Sequence, residues 1–165
     1  MKGPQDNKLL KVEYARFKVE LEKLTGVTIN AARLKKGIAM VNNRRKALQR
    51  MAALRAADPA PISGLDALLI NQVAFYDNPE RFTESVNKIC DELELRIKKQ
   101  EGVFPKGTPR VLIAGCPMAV PNWKLPSIIE TSGAVIVGEE SCVGERGTQN
   151  LVDDSGTTVY ALMNA

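Results

Sequence analysis

Apolar residues recur at intervals of three and four along most of the first 104 residues, which is the spacing of one face of an α-helix. Cap and breaker residues divide this region into four predicted helices, at about Leu10–Leu24, Asn30–Ala57, Ser63–Val73 and Asn78–Gly102. Pro59 and Pro61 end the second helix because proline cannot continue it. Cys90 lies on the apolar stripe of the fourth helix, so we expect it to be a small core residue.

The pattern changes after Phe104–Thr108, a segment with proline and glycine that we predict to be a junction. Beyond it, Val111–Ala114 and Ala134–Val137 are short apolar runs with the length and composition of strands buried on both faces of a parallel sheet. The connection between them is long enough for a crossover helix at about Lys124–Ser132, with Gly133 as its C-terminal cap. One βαβ unit is therefore predicted.

These elements predict an α/β fold in which a helical region, residues 1–104, precedes the start of a Rossmann-like parallel α/β domain, residues 105–165. After Arg146 we expect a polar loop or a short helix through Leu151, followed by a helical stretch at Thr157–Met163. Two strands make a poor sheet, because isolated pairs leave their edges bare. We therefore expect further strands from another chain or, as the preferred interpretation, a chain that is a fragment of a longer protein.

A cysteine follows each predicted strand: Cys116 comes after the first and Cys142 after the second. The carboxyl ends of parallel strands meet at one edge of the sheet, and ligands of open α/β sheets bind outside that edge. Neighbouring strands lie about 5 Å apart, so two loop thiols could reach one object. We therefore expect both cysteines to face one crevice.

The loop after the second strand carries a group of polar residues that suggests chemistry. Cys142 is a candidate thiolate ligand or nucleophile, with Glu139 or Glu140 as a general base and Arg146 as the group that stabilises an anion or a thiolate. The alternative is an ordinary turn in which Ser141 caps the next helix and the glutamates favour its N-terminus. The loop after the first strand lacks both GxGxxG and the P-loop pattern, which argues against nucleotide binding through those devices.

Composition narrows the chemistry further. Histidine is absent, which excludes Ser-His-Asp and Cys-His catalysis and any His-ligated metal within this chain, so a metal would be held by thiolates or carboxylates. Three cysteines, an odd number, argue against a disulfide framework. An iron–sulfur cluster needs about four thiolates, or three with one iron open, so further cysteines would have to come from a second subunit or from additional sequence.

The net charge of +4 is unevenly distributed. Residues 105–165 carry four basic and six acidic side chains, which leaves 19 basic and 13 acidic ones in the first 104 residues. A basic helical region can bind nucleic acid or an anionic cofactor tail, but acidic residues are interleaved throughout, so we interpret it as solvated helix faces and expect no nucleic acid. The sequence shows no membrane span and no signal peptide, so we expect a soluble, cytoplasmic protein.

Four stretches of the sequence together resemble a known family. They are PRVLIAGCP at Pro109–Pro117, KLPSIIETSGAVIVGEESCVGER at Lys124–Arg146, and, in the helical region, LEKLTGVTINAARLKKGIAMVNNRR and APISGLDALLI. The combination is similar to the 2-hydroxyacyl-CoA dehydratase family, which includes benzoyl-CoA reductase subunits and the double-cubane cluster proteins. The GCP and EESCVGER motifs look most like those of the double-cubane cluster proteins. The resemblance covers the chain from about Leu10 to Ala165.

The resemblance implies an anaerobic iron–sulfur enzyme with two α/β domains per subunit and a 4Fe-4S or double-cubane cluster. It also implies an ATP-dependent activator that delivers electrons at low potential, a second subunit in a homo- or heterodimer, and a small or CoA-linked substrate. The reaction would be a dehydration, as in a lyase, or a reduction, as in an oxidoreductase. The family's chains are longer than this one, so the resemblance implies a piece that is inactive alone.

The resemblance also bears on the candidate site. In the family the cluster thiolates come mainly from an N-terminal α/β domain and from a later segment of the C-terminal domain. Cys142, and with less weight Cys116, correspond to positions near the cluster as its candidate ligands. Glu139, Glu140 and Arg146 match the motif as neighbours of the site, with roles unassigned.

Two alternatives of other classes remain open from the residues. One is a non-catalytic binding or assembly module in which the basic helical region docks a partner and the βαβ unit is scaffold. The other is a thiol enzyme that uses Cys142 with Glu140.

Overall fold

The computed structural model describes residues 4–163, with the side chains of residues 8–159 and 161–163. Its helices are α1 (Pro4–Thr25), α2 (Ala31–Leu54), α3 (Gly64–Val73), α4 (Pro79–Lys98), α5 (Lys124–Thr131) and α6 (Val159–Leu162), and its strands are β1 (Arg110–Ala114) and β2 (Val135–Glu140). A single 3₁₀ turn occupies Glu145–Thr148. The predicted α/β class, with a helical first half followed by a parallel strand pair, is confirmed. None of the helices within the described residues is long and apolar enough to cross a membrane.

The helix starts follow from local capping chemistry. Asn30, Ser63 and Asn78 each accept hydrogen bonds from main-chain N–H groups in the first turn of the next helix, at 2.9 to 3.1 Å. These bonds satisfy donors that have no partner inside the helix. The residues predicted to start α2, α3 and α4 therefore do so.

The end of α2 differs from its prediction. The helix ends at Leu54 and not at about Ala57, because the next three N–H groups, through Ala57, donate to carbonyl oxygens three residues back, at 3.1 to 3.2 Å. This tightening is common in the last turn before a proline-rich break. The fourth helix likewise ends at Lys98, before the predicted Gly102, and α1 begins at Pro4, before the predicted Leu10.

The described chain separates into two compact units. One consists of the residues up to Met40 together with those from Val152, and the other is Val41–Leu151. The second unit holds the βαβ unit and both loops that carry the candidate cysteines, so the site belongs to it alone. The boundary predicted between residues 104 and 105, which would separate a helical region from an α/β domain, stays a prediction.

The core of the second unit is built mainly from residues of α2, α3 and α4, with Ile62 and Ala74 just outside α3. Its members are Ala47, Leu48, Met51, Ile62, Ala67, Ala74, Phe82, Val86, Cys90 and Leu93. Each large apolar side chain buried in this way stabilises the fold by about 1.5 to 3 kcal/mol. Cys90 is fully buried in the cluster, which confirms its prediction as a core residue.

The two strands are parallel neighbours, as predicted. Arg110 lies opposite Val135 and Ala114 opposite Glu140. The strand β2 is buried along most of its length, but the expectation that both strands are buried on both faces is wrong for β1, where Leu112 is 65% exposed. The reason is that β2 is the only strand that pairs with β1 among residues 4–163, so part of β1 stays uncovered.

One carboxylate ties α3, α5 and β2 together. The Glu130 Oε1 atom accepts hydrogen bonds from the N–H groups of Gly64 at 2.7 Å and Ile136 at 3.3 Å, and its Oε2 atom accepts from Leu65 at 3.3 Å. Gly64 is required here, because a Cβ atom at this position would lie 2.3 Å from the Ile136 Cβ. The start of α3 is thereby held directly against β2.

Candidate functional site

The carboxyl end of the strand pair brings the two candidate loops together. The N–H of Gly115 donates to the carbonyl of Glu140 at 3.2 Å, which extends the pairing of Ala114 with Glu140 by one residue. Cys116 and Cys142 each follow shortly after this point, and both are free, exposed thiols. The structure thus places both cysteines at the same edge of the sheet.

The loop that carries Cys116 is held by a buried glutamine of α3. The Gln72 side chain is 4% exposed; its Nε2 donates to the Met118 carbonyl at 2.8 Å and its Oε1 accepts from the Trp123 indole N–H at 3.0 Å. One amide therefore fixes the loop near its middle and at its end. Gln72 was not predicted from the sequence, since its only signal is a polar side chain in a short apolar helix.

The loop that carries Cys142 folds back on the end of β2. Glu139 and Glu140, predicted to lie in this loop, are instead the last two residues of the strand, because both pair with β1. The Glu139 carboxylate, 3% exposed, accepts a hydrogen bond from the Ser141 Oγ at 2.6 Å, and that Oγ accepts from the Gly144 N–H at 3.1 Å. A Cβ at position 144 would lie 2.3 Å from the Glu139 carbonyl oxygen, so only glycine fits. Ser141 thus caps a turn, as the structural alternative expected, although a 3₁₀ turn and not an α-helix follows.

An ion pair lies beside the Cys142 thiol. Arg146 donates from Nε to Glu140 Oε1 at 2.6 Å and makes a second hydrogen bond from Nη2 to Glu140 Oε2. The guanidinium holds the pKa of the Glu140 carboxyl below its ordinary value, which weakens it as a base. Glu140 in turn raises the pKa of Arg146, with a smaller contribution from Cys142, so the cation is shared between a carboxylate and a thiol.

A buried arginine of the second unit, Arg55, makes hydrogen bonds to β2 and to the segment that follows Cys142. Arg55 is 2% exposed; its Nη1 donates to Glu145 Oε1 at 2.8 Å and its Nη2 to the Ile136 carbonyl at 3.0 Å. Burial lowers the pKa of Arg55, and the carboxylates of Glu145, Glu139 and Glu130 act against that shift. Sequence reasoning missed Arg55, because it is one of many basic residues in and after α2 and nothing in the pattern marks it as buried.

A small cleft of about 150 Å³ opens beside Cys142. It is lined by residues from three sources: Arg44, Arg45 and Leu48 of α2, Asn71, Ala74 and Phe75 in and after α3, and the segment after Cys142. The cleft thus joins the second loop to two helices of the same unit. Nothing in the sequence pattern placed these residues together.

The described side chains do not complete a metal site by themselves. No group of three or more Cys, Asp, Glu or His side chains within the described part of the chain lies close enough to hold one metal ion. Cys116 and Cys142 are therefore two thiols at one edge, and their predicted role as ligands stays a prediction.

Comparison with known proteins identifies the family. Residues 1–165 match the model of the family described as 2-hydroxyglutaryl-CoA dehydratase, D-component. The chain belongs to this family. The D-component family match confirms the resemblance found in the motifs around Cys116 and Cys142, while the placement in the double-cubane branch stays a prediction.

Two curated relatives of this D-component chain are informative. YjiM of Escherichia coli (strain K12), named as a dehydratase subunit, is 31% identical over 165 residues, which cover 98% of this chain and 42% of YjiM. The beta subunit of (R)-phenyllactyl-CoA dehydratase of Clostridium sporogenes is 26% identical over 166 residues, which cover 96% of this chain and 42% of that subunit. The chain therefore spans less than half the length of these relatives. Both are named as subunits of dehydratases, so the alternative of a non-catalytic docking module is not favoured.

Proposed function

We propose that the chain is part of a subunit of a 2-hydroxyacyl-CoA dehydratase-type enzyme that works with an iron–sulfur cluster. The match of the whole chain to the D-component family carries this proposal. The two relatives named as dehydratase subunits support it. We further propose that the 104/105 junction separates a helical region from the second α/β domain of such a subunit.

The thiols at the sheet edge fit one part of a cluster ligand set. Iron–sulfur clusters are held by cysteine thiolates, and Cys142 and Cys116 are both free and exposed. Arg146 lies beside Cys142, so the site holds a cation next to one of the two candidate ligands. The remaining ligands would come from outside the described residues. When bound, the cluster supplies electron transfer at low potential.

The residues at the end of β2 and in the loop after it have distinct roles in this proposal. Arg146 stabilises negative charge next to Cys142, and Glu140 orients that arginine through two hydrogen bonds. Glu139 is nearly fully buried and its carboxylate is occupied by Ser141, so it shapes the loop and does not act as a base. These residues hold the site in one geometry, as catalytic loops require.

The same proposal includes the partners that the family resemblance implies. They are a second subunit, an ATP-dependent activator that acts as the reductase, and an acyl-CoA substrate in the cytoplasm of an anaerobic cell. The names of the two relatives, each a subunit of a dehydratase, are consistent with a second subunit.

Anaerobic isolation of the full-length protein, followed by iron and sulfide analysis and visible absorption, tests the proposal. We expect a brown, iron-containing protein, a lower iron content in Cys142→Ser, and a smaller decrease in Cys116→Ser. Cys90→Ala is the matched control, because Cys90 is buried in the core and lies on α4; it should keep its iron while circular dichroism confirms folding. A colourless, iron-free full-length protein ends this proposal.

A further inference from the structure

The cleft beside Cys142 has the charge of an anion site. Arg44 and Arg45 both line it, and no acidic side chain does. Each guanidinium has five N–H donors, and among the described residues Arg44 donates one hydrogen bond, to the Ala74 carbonyl at 3.1 Å, and Arg45 one, to the Asn150 carbonyl at 2.9 Å. Neither pairs with a carboxylate in the described part of the chain. Two adjacent arginines therefore keep donors that a ligand can use.

A buried amide in the same cleft has no protein partner. Asn71 is 4% exposed and lines the cleft. Its side chain makes no hydrogen bond with any residue that the structure describes. Among the described residues, the Arg55 Nε is the only fully buried side-chain nitrogen or oxygen atom without a hydrogen-bond partner. The Asn71 amide therefore reaches the cleft, where a ligand or water can satisfy it. This observation is independent of the arginines and points to the same space.

Size and the remaining walls restrict the ligand. The cleft of about 150 Å³ has room for about five water-sized groups, since a water takes about 30 Å³ in the liquid. Leu48, Ala74, Phe75 and Val143 add apolar surface next to the arginines. A ligand that matches both the arginines and the apolar surface carries a planar oxyanion at one end and a short alkyl group at the other. The oxyanion is planar because arginine recognises carboxylates through paired N–H donors.

We propose that this cleft binds a short-chain carboxylate, with Arg44, Arg45 and Asn71 on the carboxylate and the alkyl end against the apolar wall beside Cys142. The site would take a free carboxylic acid anion of about three to five carbons, for which the space is sufficient. It is independent of the cluster assignment, because none of its contacts with the ligand requires iron. Loss of iron binding and loss of carboxylate binding are therefore separate outcomes.

Protection of Cys142 from alkylation provides a direct test. The purified chain, freed of iron so that both thiols can react, is treated with limiting iodoacetamide, and alkylation at Cys142 and Cys116 is followed separately by mass spectrometry. Cys116 is the internal control, because it is equally free and exposed but does not line the cleft. Butanoate at ten times its Kd should slow alkylation of Cys142 about tenfold, following 1 + [L]/Kd, and leave Cys116 unchanged.

Added compounds separate the parts of the proposal. Butanamide has the same shape without the charge and should give no protection at the same ionic strength, which is balanced with sodium chloride. Inorganic phosphate tests a bare oxyanion, and we expect weaker protection than with butanoate. Equal protection by phosphate and butanoate would overturn the assignment of an alkyl carboxylate. Equal slowing of both thiols by butanoate and sodium chloride would overturn the site itself.

Substitutions then connect the effect to the cleft. Arg44→Gln and Arg45→Gln remove the cations and should each abolish most of the protection, and Asn71→Leu should weaken it. Arg33→Gln is the matched control, since Arg33 also donates one hydrogen bond to a main-chain carbonyl, that of Thr28, but lies outside the cleft. Circular dichroism establishes that each variant is folded. If Arg33→Gln reduces protection as much as the cleft variants do, the effect is one of net charge and the proposal is wrong.

Discussion

Replacement of Arg55 by methionine is the most informative single change in the second unit. Methionine keeps an unbranched apolar stem like that of arginine and removes the guanidinium. Two hydrogen bonds disappear with it, one to the Glu145 carboxylate and one to the Ile136 carbonyl. The buried carboxylate of Glu139 also loses its electrostatic interaction with the Arg55 cation.

The expected cost follows from where these groups lie. Removing one partner of a buried ion pair costs about 3 to 5 kcal/mol, because the other charge is left without compensation. Glu145 is 29% exposed and can regain contact with water, so the cost should fall at the lower end, about 3 kcal/mol. With a urea m-value of about 2 kcal/mol/M, the unfolding midpoint would decrease by about 1.5 M. That is a large part of the free energy of unfolding of a typical domain.

Urea unfolding followed by far-UV circular dichroism measures this change. Arg45→Met is the matched control in α2, because Arg45 is only half-buried and makes one hydrogen bond to a main-chain carbonyl; it should cost less than about 1 kcal/mol. Combining Arg55→Met with Glu145→Gln should cost less than the sum of the single changes, since each removes the same interaction. A folded Arg55→Met protein within about 1 kcal/mol of the parent would refute the reasoning from burial.

Three further predictions concern the second loop and the core. Gly144→Ala places a Cβ 2.3 Å from the Glu139 carbonyl oxygen and should destabilise the fold by about 1 to 3 kcal/mol in urea unfolding. In the native protein, Cys90 should be alkylated far more slowly than the two exposed thiols, because it is fully buried and burial raises its pKa. Arg146 holds the pKa of Glu140 below its ordinary value of 4.5, so the difference in Tm between the parent and Glu140→Gln should shrink from about pH 6 to about pH 3.

Each of these predictions has a control. Gly147→Ala is the companion to the first, since its nearest atom lies 3.9 Å away, and an equal loss in both variants would contradict the argument from close approach. Alkylation of all three thiols at one rate would show that the helical core opens readily. The sign of the pH effect follows from the lowered pKa: the carboxylate form is favoured in the folded state, and its contribution is lost as acid protonates it. A Tm difference that does not change with pH would show that the ion pair adds no stability.

The features predicted correctly from the sequence are those fixed by residues close together in the chain. Ser63 and Asn78 cap helices because each needs only N–H groups within three residues. The parallel pairing of β1 and β2 also follows from a local pattern, an apolar run, a helix and a second run. The position of Cys142 at the sheet edge follows from the same pattern.

The features that were missed depend on contacts between distant residues. Arg55 meets its partners in β2 and after it, some 80 to 90 residues further along the chain. Gln72 meets Met118 and Trp123, which lie 46 and 51 residues further along the chain. The sequence pattern around a polar residue of a helix is the same whether its side-chain polar group lies in water or in the core. The exposure of Leu112 was also not predicted. An apolar run indicates that a strand is buried, but it does not identify the element that packs against it.

In the second loop, the residues that determine the backbone conformation are different from the residue that carries the thiol. The contacts that bend it, from Ser141 to Glu139 and from Gly144 to the end of β2, do not use the side chain at position 142. That side chain can therefore be exchanged during evolution without rebuilding the loop around it. A thiol here can become a hydroxyl or a methyl group in a descendant protein, and the frame would survive the change of reaction. In this loop, position 142 carries the reactive group, and the neighbouring residues determine the backbone conformation.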